Sequence, residues 1–270
     1  MEIVFITPEI TPYSRTGPIG DVCAALPRGL RGMDHKVTVI SPLWAGVDAT
    51  AHALARRLST IPVELAGAGD DEEASTAQMT VFDGRTTGGV DLVFVGNDAL
   101  LEGPPPAQGK AASPEQIRAA VAFGRAAIAV AKERSDAVDV VHGHGWFAAP
   151  ALADAREALP DARRVLSLHD PSARGELDGA SEVGLPAELQ ALARGGDDSS
   201  LLHAGASVAQ RVIASSQSAV EALQTDRHLA DALEEAGKLA GIAAGLDASR
   251  WNPVTDALVP ARFDPVDLTG

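Results

Sequence analysis

Apolar positions along the chain fall into two patterns, short continuous runs and helical stripes. Ile3-Val4-Phe5-Ile6 is a continuous run and predicts a buried strand. The polar stretch after it contains Thr16-Gly17-Pro18-Ile19-Gly20. Val22, Ala25, Leu26 and Leu30 then mark one face of a helix opening near Gly20 or Asp21. A strand feeding a helix through a Gly-containing loop is the first half of a βαβ unit. Ligands of open α/β sheets sit at that loop, where free helix N–H groups attract anions.

Lys36 to Ile40 predicts a second parallel strand closed by Ser41-Pro42, and Ala49 to Leu58 has the composition of a helix. Ser59 to Leu65, Gln78 to Phe82 and Val90 to Val95 predict three short strands of a meander. Between the first two lies an acidic, Gly-rich loop, Ala66 to Glu73, which reads as solvated because it lacks spaced metal ligands. Gly103 to Ala112 is a second irregular linker. Ser113-Pro114-Glu115-Gln116 combines an N-cap serine, a proline at the first position and a glutamine three residues after the cap. Ile117, Val121, Phe123, Ile128 and Val130 carry that helix through about five turns.

Val138 to Val141 predicts a buried strand ending at His142-Gly143-His144-Gly145-Trp146. Phe147 to Leu159 follows as a helix, and Arg164 to Leu168 as a strand leaving through His169-Asp170-Pro171. Ser172 to Asp198 is Gly-rich and polar, with one short helix after Pro186. Loops of this length inside a compact domain usually act as lids or are disordered. Leu201 to Ala209 (helix), Arg211 to Ala214 (strand), Ser216 to Leu223 (serine-capped helix), Leu229 to Ala236 (helix) and Leu239 to Ala243 (strand) complete the regular elements. The tail from 247 to 270 has no clear periodicity. Strands alternating with helices predict an α/β fold with a single Rossmann-like, doubly wound parallel sheet.

Composition narrows the function. Apolar residues make up 46% and charged residues 22%, ordinary for a globular chain of 270 residues. A net charge of −15 argues against nucleic acid and anionic membrane as partners, because both need clustered Lys and Arg. One cysteine, Cys23, excludes an internal disulfide framework, fits a reducing compartment and reads as a small buried helix residue. The N-terminus has no basic region and an apolar run of only Ile3 to Ile6, so no signal peptide is expected and the expected location is cytoplasmic.

In doubly wound sheets chemistry gathers at strand C-termini. Three such ends are polar beyond the needs of a core: the loop from Arg15 to Gly20, His142 to Trp146, and His169-Asp170. Convergence of His142, His144 and His169 would satisfy zinc. The competing readings are buried, hydrogen-bonded strand-end histidines and contacts to a polar ligand. No nucleophile elbow, Walker loop or dinucleotide fingerprint appears, since Gly17-Pro18-Ile19-Gly20 is not G-x-G-x-x-G.

Longer motifs carry a resemblance. Pro8-Glu9-Ile10-Thr11-Pro12-Tyr13-Ser14-Arg15-Thr16-Gly17-Pro18-Ile19-Gly20-Asp21-Val22, followed by Ala25-Leu26-Pro27, resembles the opening of bacterial glycogen synthases and plant starch synthases. That opening reads Ser-Glu-x-x-Pro-(Phe/Tyr)-x-Lys-Thr-Gly-Gly-Leu-(Gly/Ala)-Asp-Val. Asp139 to Trp146 is similar to Asp-(Val/Ile)-(Val/Ile)-His-x-His-Asp-Trp, and Leu202 to Ser218 to a further family stretch. Gly241 to Asp247, Trp251 to Asp256 and Pro260 to Phe263 are similar to Gly-Ile-x-Asn-Gly-Ile-Asp, Trp-Asn-Pro-x-Thr-Asp and Pro-Ala-(Arg/Asn)-(Tyr/Phe).

The resemblance implies the N-terminal, acceptor-side half of a two-domain GT-B glycosyltransferase, which moves glucose from ADP-glucose to an α-1,4-glucan with retention. It covers nearly the whole chain, which stops where the family's nucleotide-binding second domain would begin. Carried over by motif, it implies sugar or nucleotide contacts at Arg15, Thr16, Gly17, Gly20, Asp21, His142, His144, His169 and Asp170, with His169 facing the donor glucose. No metal or cofactor is implied. Several positions depart from the pattern. Arg15 replaces a donor-contacting lysine, exchanging a point charge for a planar fork. Pro18 replaces a glycine and removes an N–H. Gly145 replaces a sugar-contacting aspartate, Phe147 a histidine, Asp170 an asparagine and Ala244 an asparagine. These changes and the missing half imply a degenerate α-glucan- or sugar-binding or regulatory module. Two alternatives stand beside it: a protein-interaction or dimerisation scaffold, and one chain of a split glucosyltransferase. Either calls for a partner or second copy over the freed face. An open polar crevice would mark a binder, and an apolar plug a scaffold.

Overall fold

The computed structural model describes residues 1–67, 74–106, 112–135, 137–178, 185–195, 198–234, 237–245, 251–264 and 266. In chain order the elements begin β1 (Glu2–Ile6), α1 (Pro18–Gly32), β2 (Lys36–Pro42), β3 (Ala55–Leu65), β4 (Ser75–Arg85), β5 (Asp91–Gly96) and α2 (Pro114–Arg134). They continue β6 (Val140–His144), a 3-10 turn (Trp146–Ala148), α3 (Ala149–Ala158), β7 (Arg163–Leu168), α4 (Ala187–Ala193), β8 (Arg194–Gly195) and β9 (Asp198–Ser199). The last are α5 (Leu201–Val208), β10 (Arg211–Ala214), α6 (Gln217–Gln224), α7 (Ala230–Leu233) and β11 (Leu239–Gly241).

One sheet of nine strands in the order β11-β10-β7-β6-β1-β2-β5-β4-β3 organises the chain, parallel from β11 to β5 and antiparallel at β4 and β3. β1 lies mid-sheet, with Phe5 in register with Val39 on one side and His142 on the other. Its continuous apolar run is what burial on both faces requires. Ile3 and Phe5 join Val37, Val39 and Phe94 in one core layer beside α1. Val4 and Ile6 point the opposite way, into the larger core under α2, α3 and α5. The doubly wound parallel sheet is therefore present as expected, with an antiparallel edge.

α2 has the anticipated start: Gln116 N–H donates to Ser113 Oγ (3.3 Å), and Ser113 N–H donates to Gln116 Oε1 (3.1 Å). α1 begins at Pro18, earlier than expected, because proline suits the first helical position. The helix expected over Ala49 to Leu58 does not form. Asp48 caps a turn through the N–H groups of Thr50 and Ala51, and the chain enters β3 at Ala55. Pairing with β4 and burial of Ile61, Val63 and Leu65 override local helix preference. β6 runs on to His144, so both histidines lie within the strand and not past it. Trp146–Ala148 is a 3-10 turn before α3 proper, and the last helix and strand are shorter than expected.

The described parts of the segment from Ser172 to Asp198 pack onto the body. Leu185, Leu189 and Ala193 are buried, Arg174 pairs with Asp226 at 2.7 Å, and Leu177 N–H donates to Ser199 O. Residues 68–73 of the acidic loop, 107–111 of the second linker, 179–184 and 196–197 of this segment, 235–236 of the last helix, and 246–250, 265 and 267–270 at the tail lie outside the described residues.

Candidate functional site

Strand alternation sends His142 and His144 to the same face of β6, beside Phe5 of β1 and the end of β7. The rings form a row, tilted at Phe5–His142 and His142–His144 and stacked at His144–His169. Centroids are 4.9 Å apart for Phe5 and His142, 4.4 Å for His142 and His144, and 5.2 Å for His144 and His169. His142 Nε2 hydrogen-bonds Ser167 Oγ at 2.8 Å, and His144 Nδ1 hydrogen-bonds His169 Nε2 at 3.0 Å. His144 Nε2 is buried without a partner. An unmet acceptor is less costly there than an unmet N–H, so His144 Nδ1–H donates and His169 Nε2 accepts.

Burial pushes the His142 imidazole down to about 3, with His169 adding to the effect. Burial holds His144 well below the usual imidazole range, and brings His169 to about 4. The row is neutral at physiological pH. The histidines thus converge as a hydrogen-bonded row. Among the described residues no three His, Cys, Asp or Glu side chains are placed to share a metal ion. Asp170 closes the exit of β7, accepting from Ser172 N–H (2.9 Å) and Ser172 Oγ (2.7 Å).

The loop between β1 and α1 is built around Glu9, a buried carboxylate that the sequence reading did not single out as a site residue. It accepts from Thr16 N–H, Thr16 Oγ1 (2.8 Å), Gly17 N–H (3.2 Å) and Gly20 N–H (3.0 Å). The N–H groups expected to attract an anion therefore already face one. A carboxylate following an apolar strand and preceding a Gly-containing loop was the available signal. Asp21 holds the outer side of the loop, accepting from Thr11 Oγ1 (3.0 Å) and from Arg15 Nε (3.1 Å), with Arg15 Nη2 at 3.0 Å. Gly20 sits close to its neighbours: a Cβ there would lie a tight 3.1 Å from Thr11 Oγ1 and 3.2 Å from Ser14 O.

The loop and the histidine row meet at a crevice of about 20 Å³. Ile19, Trp146 and Phe147 fill it from the protein side, and His169 and Asp170 stand at its rim, both half-buried. Arg15, Thr16, Gly17 and Asp21 do not line it. Phe147 is fixed by Trp44 and Phe123, at centroid distances of 5.5 and 5.7 Å. Gly145 has φ 66° and ψ −177°, a region that essentially only glycine occupies. Gly175, with φ 60°, lies flat against Trp146, where a Cβ would come within 2.5 Å of the ring.

Comparison with known proteins places this arrangement. The starch synthase catalytic domain profile matches residues 2–236. The glycogen synthase of Deinococcus radiodurans is 30% identical over 288 residues, covering 100% of this chain and 58% of the relative. That of Streptococcus pneumoniae is 29% identical over 286 residues, covering 100% and 57%. The catalytic domain of starch synthase IV from Arabidopsis thaliana, solved bound to ADP and acarbose, superposes with a TM-score of 0.75 at 20% identity. The superposition covers 99% of this chain and 56% of that one, and supports the same fold. The chain spans a little over half the length of each of these relatives. Among the described residues no helix is long and apolar enough to cross a membrane. With a profile match over most of its length, the chain belongs to the starch synthase catalytic domain family.

Proposed function

We propose that the chain is a catalytically degenerate, acceptor-side half of a glycogen or starch synthase-like glycosyltransferase that binds α-glucan at the rim of its crevice. The loss of transfer rests on the small size of the crevice, about 20 Å³, and the binding on His169 and Asp170, which still line it beside an apolar plug that by itself would mark a scaffold. Such a volume is room for about one water molecule, too little to enclose a glucosyl unit. Transfer from a sugar diphosphate relies on charges set around the departing group in a closed cleft. Here Arg15 is paired to Asp21, the loop N–H groups face Glu9, and Gly145 offers no carboxylate. His169 and Asp170 remain at the rim, where neutral hydroxyls can meet imidazole and carboxylate. A polymer repeats such weak contacts along its length. Glycogen synthase relatives, and the binding of acarbose by starch synthase IV, support a glucan as the ligand class.

The test is affinity electrophoresis through gels with and without glycogen, beside an assay of glucosyl transfer from ADP-glucose to maltooligosaccharide. Glycogen retards the chain, His169→Ala reduces the retardation, and the chain alone transfers no glucose. Migration unchanged by glycogen sinks the reading.

The apolar plug and the tail favour a second reading, an interaction module or one chain of a split enzyme. Trp251, Val254, Leu258 and Phe263 are exposed together in the described tail. A stable oligomer in light scattering, with no response to glycogen, would select it.

A further inference from the structure

A second cavity lies away from the crevice and shares no lining residue with it. It is a groove of about 540 Å³ between α2, α3 and the start of α4, within the roughly 300–1,000 Å³ usual for small-molecule sites. Its floor is apolar, with Val121 and Ile128 from α2 and Leu189 from α4. Ala129, Ala153 and Ala158 leave the space open. At Gly124 the helices approach so closely that a Cβ would lie 2.7 Å from Ala151 N, which fixes the spacing of the walls.

The two walls carry opposite charge. α2 presents Arg125 and Lys132, and α3 presents Asp154 and Glu157. Among the described residues no ion pair joins them across the groove. Arg125 donates to the Glu64 carbonyl, and Glu188 pairs with Arg156 at 3.2 Å. Among the described residues the side chains of Asp154, Glu157 and Lys132 make no hydrogen bond or ion pair. Burial pushes the Asp154 carboxyl up to about 6, against the pull of Arg125 and with help from Glu188 and Glu157. A half-buried carboxylate without a donor and an exposed lysine thus line one apolar groove. No aromatic ring lines the groove, so it lacks the platform on which a sugar face stacks.

We propose that this groove binds a small zwitterion with an aliphatic body, the chemistry of an aliphatic α-amino acid. The ammonium donates to Asp154, the carboxylate accepts from Lys132, and the side chain lies on Val121, Ile128 and Leu189. Loss of either charge removes one of the two polar contacts that orient the zwitterion.

The experiment is isothermal titration of the full chain with L-leucine, L-valine and L-methionine. Single-charge analogues of leucine, 3-methylbutylamine and 4-methylpentanoate, are titrated alongside. At least one amino acid binds, and its single-charge analogues bind about tenfold or more weakly. Asp154→Asn and Lys132→Met each weaken binding by about tenfold or more, while His169→Ala leaves it unchanged. Ala129→Leu, which fills the groove, abolishes binding; it decides the matter if Asp154→Asn does not fold. No binding by any of the three amino acids overturns the proposal. So does an amine bound as tightly as leucine, or undiminished binding by folded Asp154→Asn or Ala129→Leu.

Discussion

The motif resemblance sets an aspartate at the position of Gly145, and the backbone there bears on what restoring one would cost. A side chain at φ 66° and ψ −177° is strained whatever the free space. The added Cβ itself meets only Ile19 Cδ1, at 3.5 Å. Gly145→Asp is therefore expected to destabilise the chain by about 1–3 kcal/mol through the backbone, measured by urea denaturation. A variant as stable as the parent would show that the turn can relax to admit the aspartate. Cys23 is a buried helix residue whose thiol burial pushes up to about 12, so it is not a nucleophile at neutral pH. Residue identity gave fair warning here, since a lone cysteine on an apolar helix face is usually packing. The Gly145 conformation was not legible. A glycine in the sequence reports a missing side chain, and whether φ is positive depends on how β6 turns into α3.

The loop between β1 and α1 behaves as one element because a single carboxylate gathers its donors. Glu9→Ala leaves the N–H groups of Thr16, Gly17 and Gly20 without their acceptor. Only the Gly20 N–H is fully buried, so a cost of about 1–3 kcal/mol is expected, the part-buried N–H groups of Thr16 and Gly17 being open to water. Glu9→Gln, which keeps an oxygen, should cost less. Equal stability of Glu9→Ala and the parent in denaturant titration would refute the role of the carboxylate. The helices with strong local signals, above all α2 with its reciprocal Ser113–Gln116 cap, were readable from sequence because capping and periodicity act within a few residues. β3 was readable from Ser59 to Leu65 but not at its start. Its first residues, Ala55-Arg56-Arg57-Leu58, favour a helix locally, and only pairing with β4 and the Arg57–Asp83 contact at 2.6 Å make them a strand. The three polar strand ends were visible in advance, but their consolidation into a plugged crevice was not. Ile19 comes from α1 and Trp146 and Phe147 from the turn after β6, and their filling of one space is a tertiary fact.

Across the whole molecule, the histidine row ties stability to pH. His142 near 3, His169 near 4 and His144 well below 6.5 stay neutral when folded. The unfolded chain binds those protons below about pH 6.5, so stability is complete above that value and falls as the pH drops toward 4. Asp154, raised to about 6, acts in the opposite sense. Its contribution is present below about 4 and lost as the pH rises through 6, offsetting one of the three protons in that window. The net slope is positive between about 4 and 6.5, at about 1.4 kcal/mol per pH unit for each remaining proton. Thermal melts at pH 7 and pH 5 should show the lower midpoint at pH 5; a midpoint equal or higher would contradict the neutral buried row. The central position of β1 also bears on how the protein emerges from the ribosome. Ile3 can pair with Val37 early, but its other edge waits for Val140. At roughly 5–20 residues per second, the most apolar strand spends on the order of ten seconds with one side open. Biosynthesis thus passes through a nascent chain that nearby chains or chaperones can reach, and mutations that slow completion of β6 should lower yield before they lower the stability of the finished molecule.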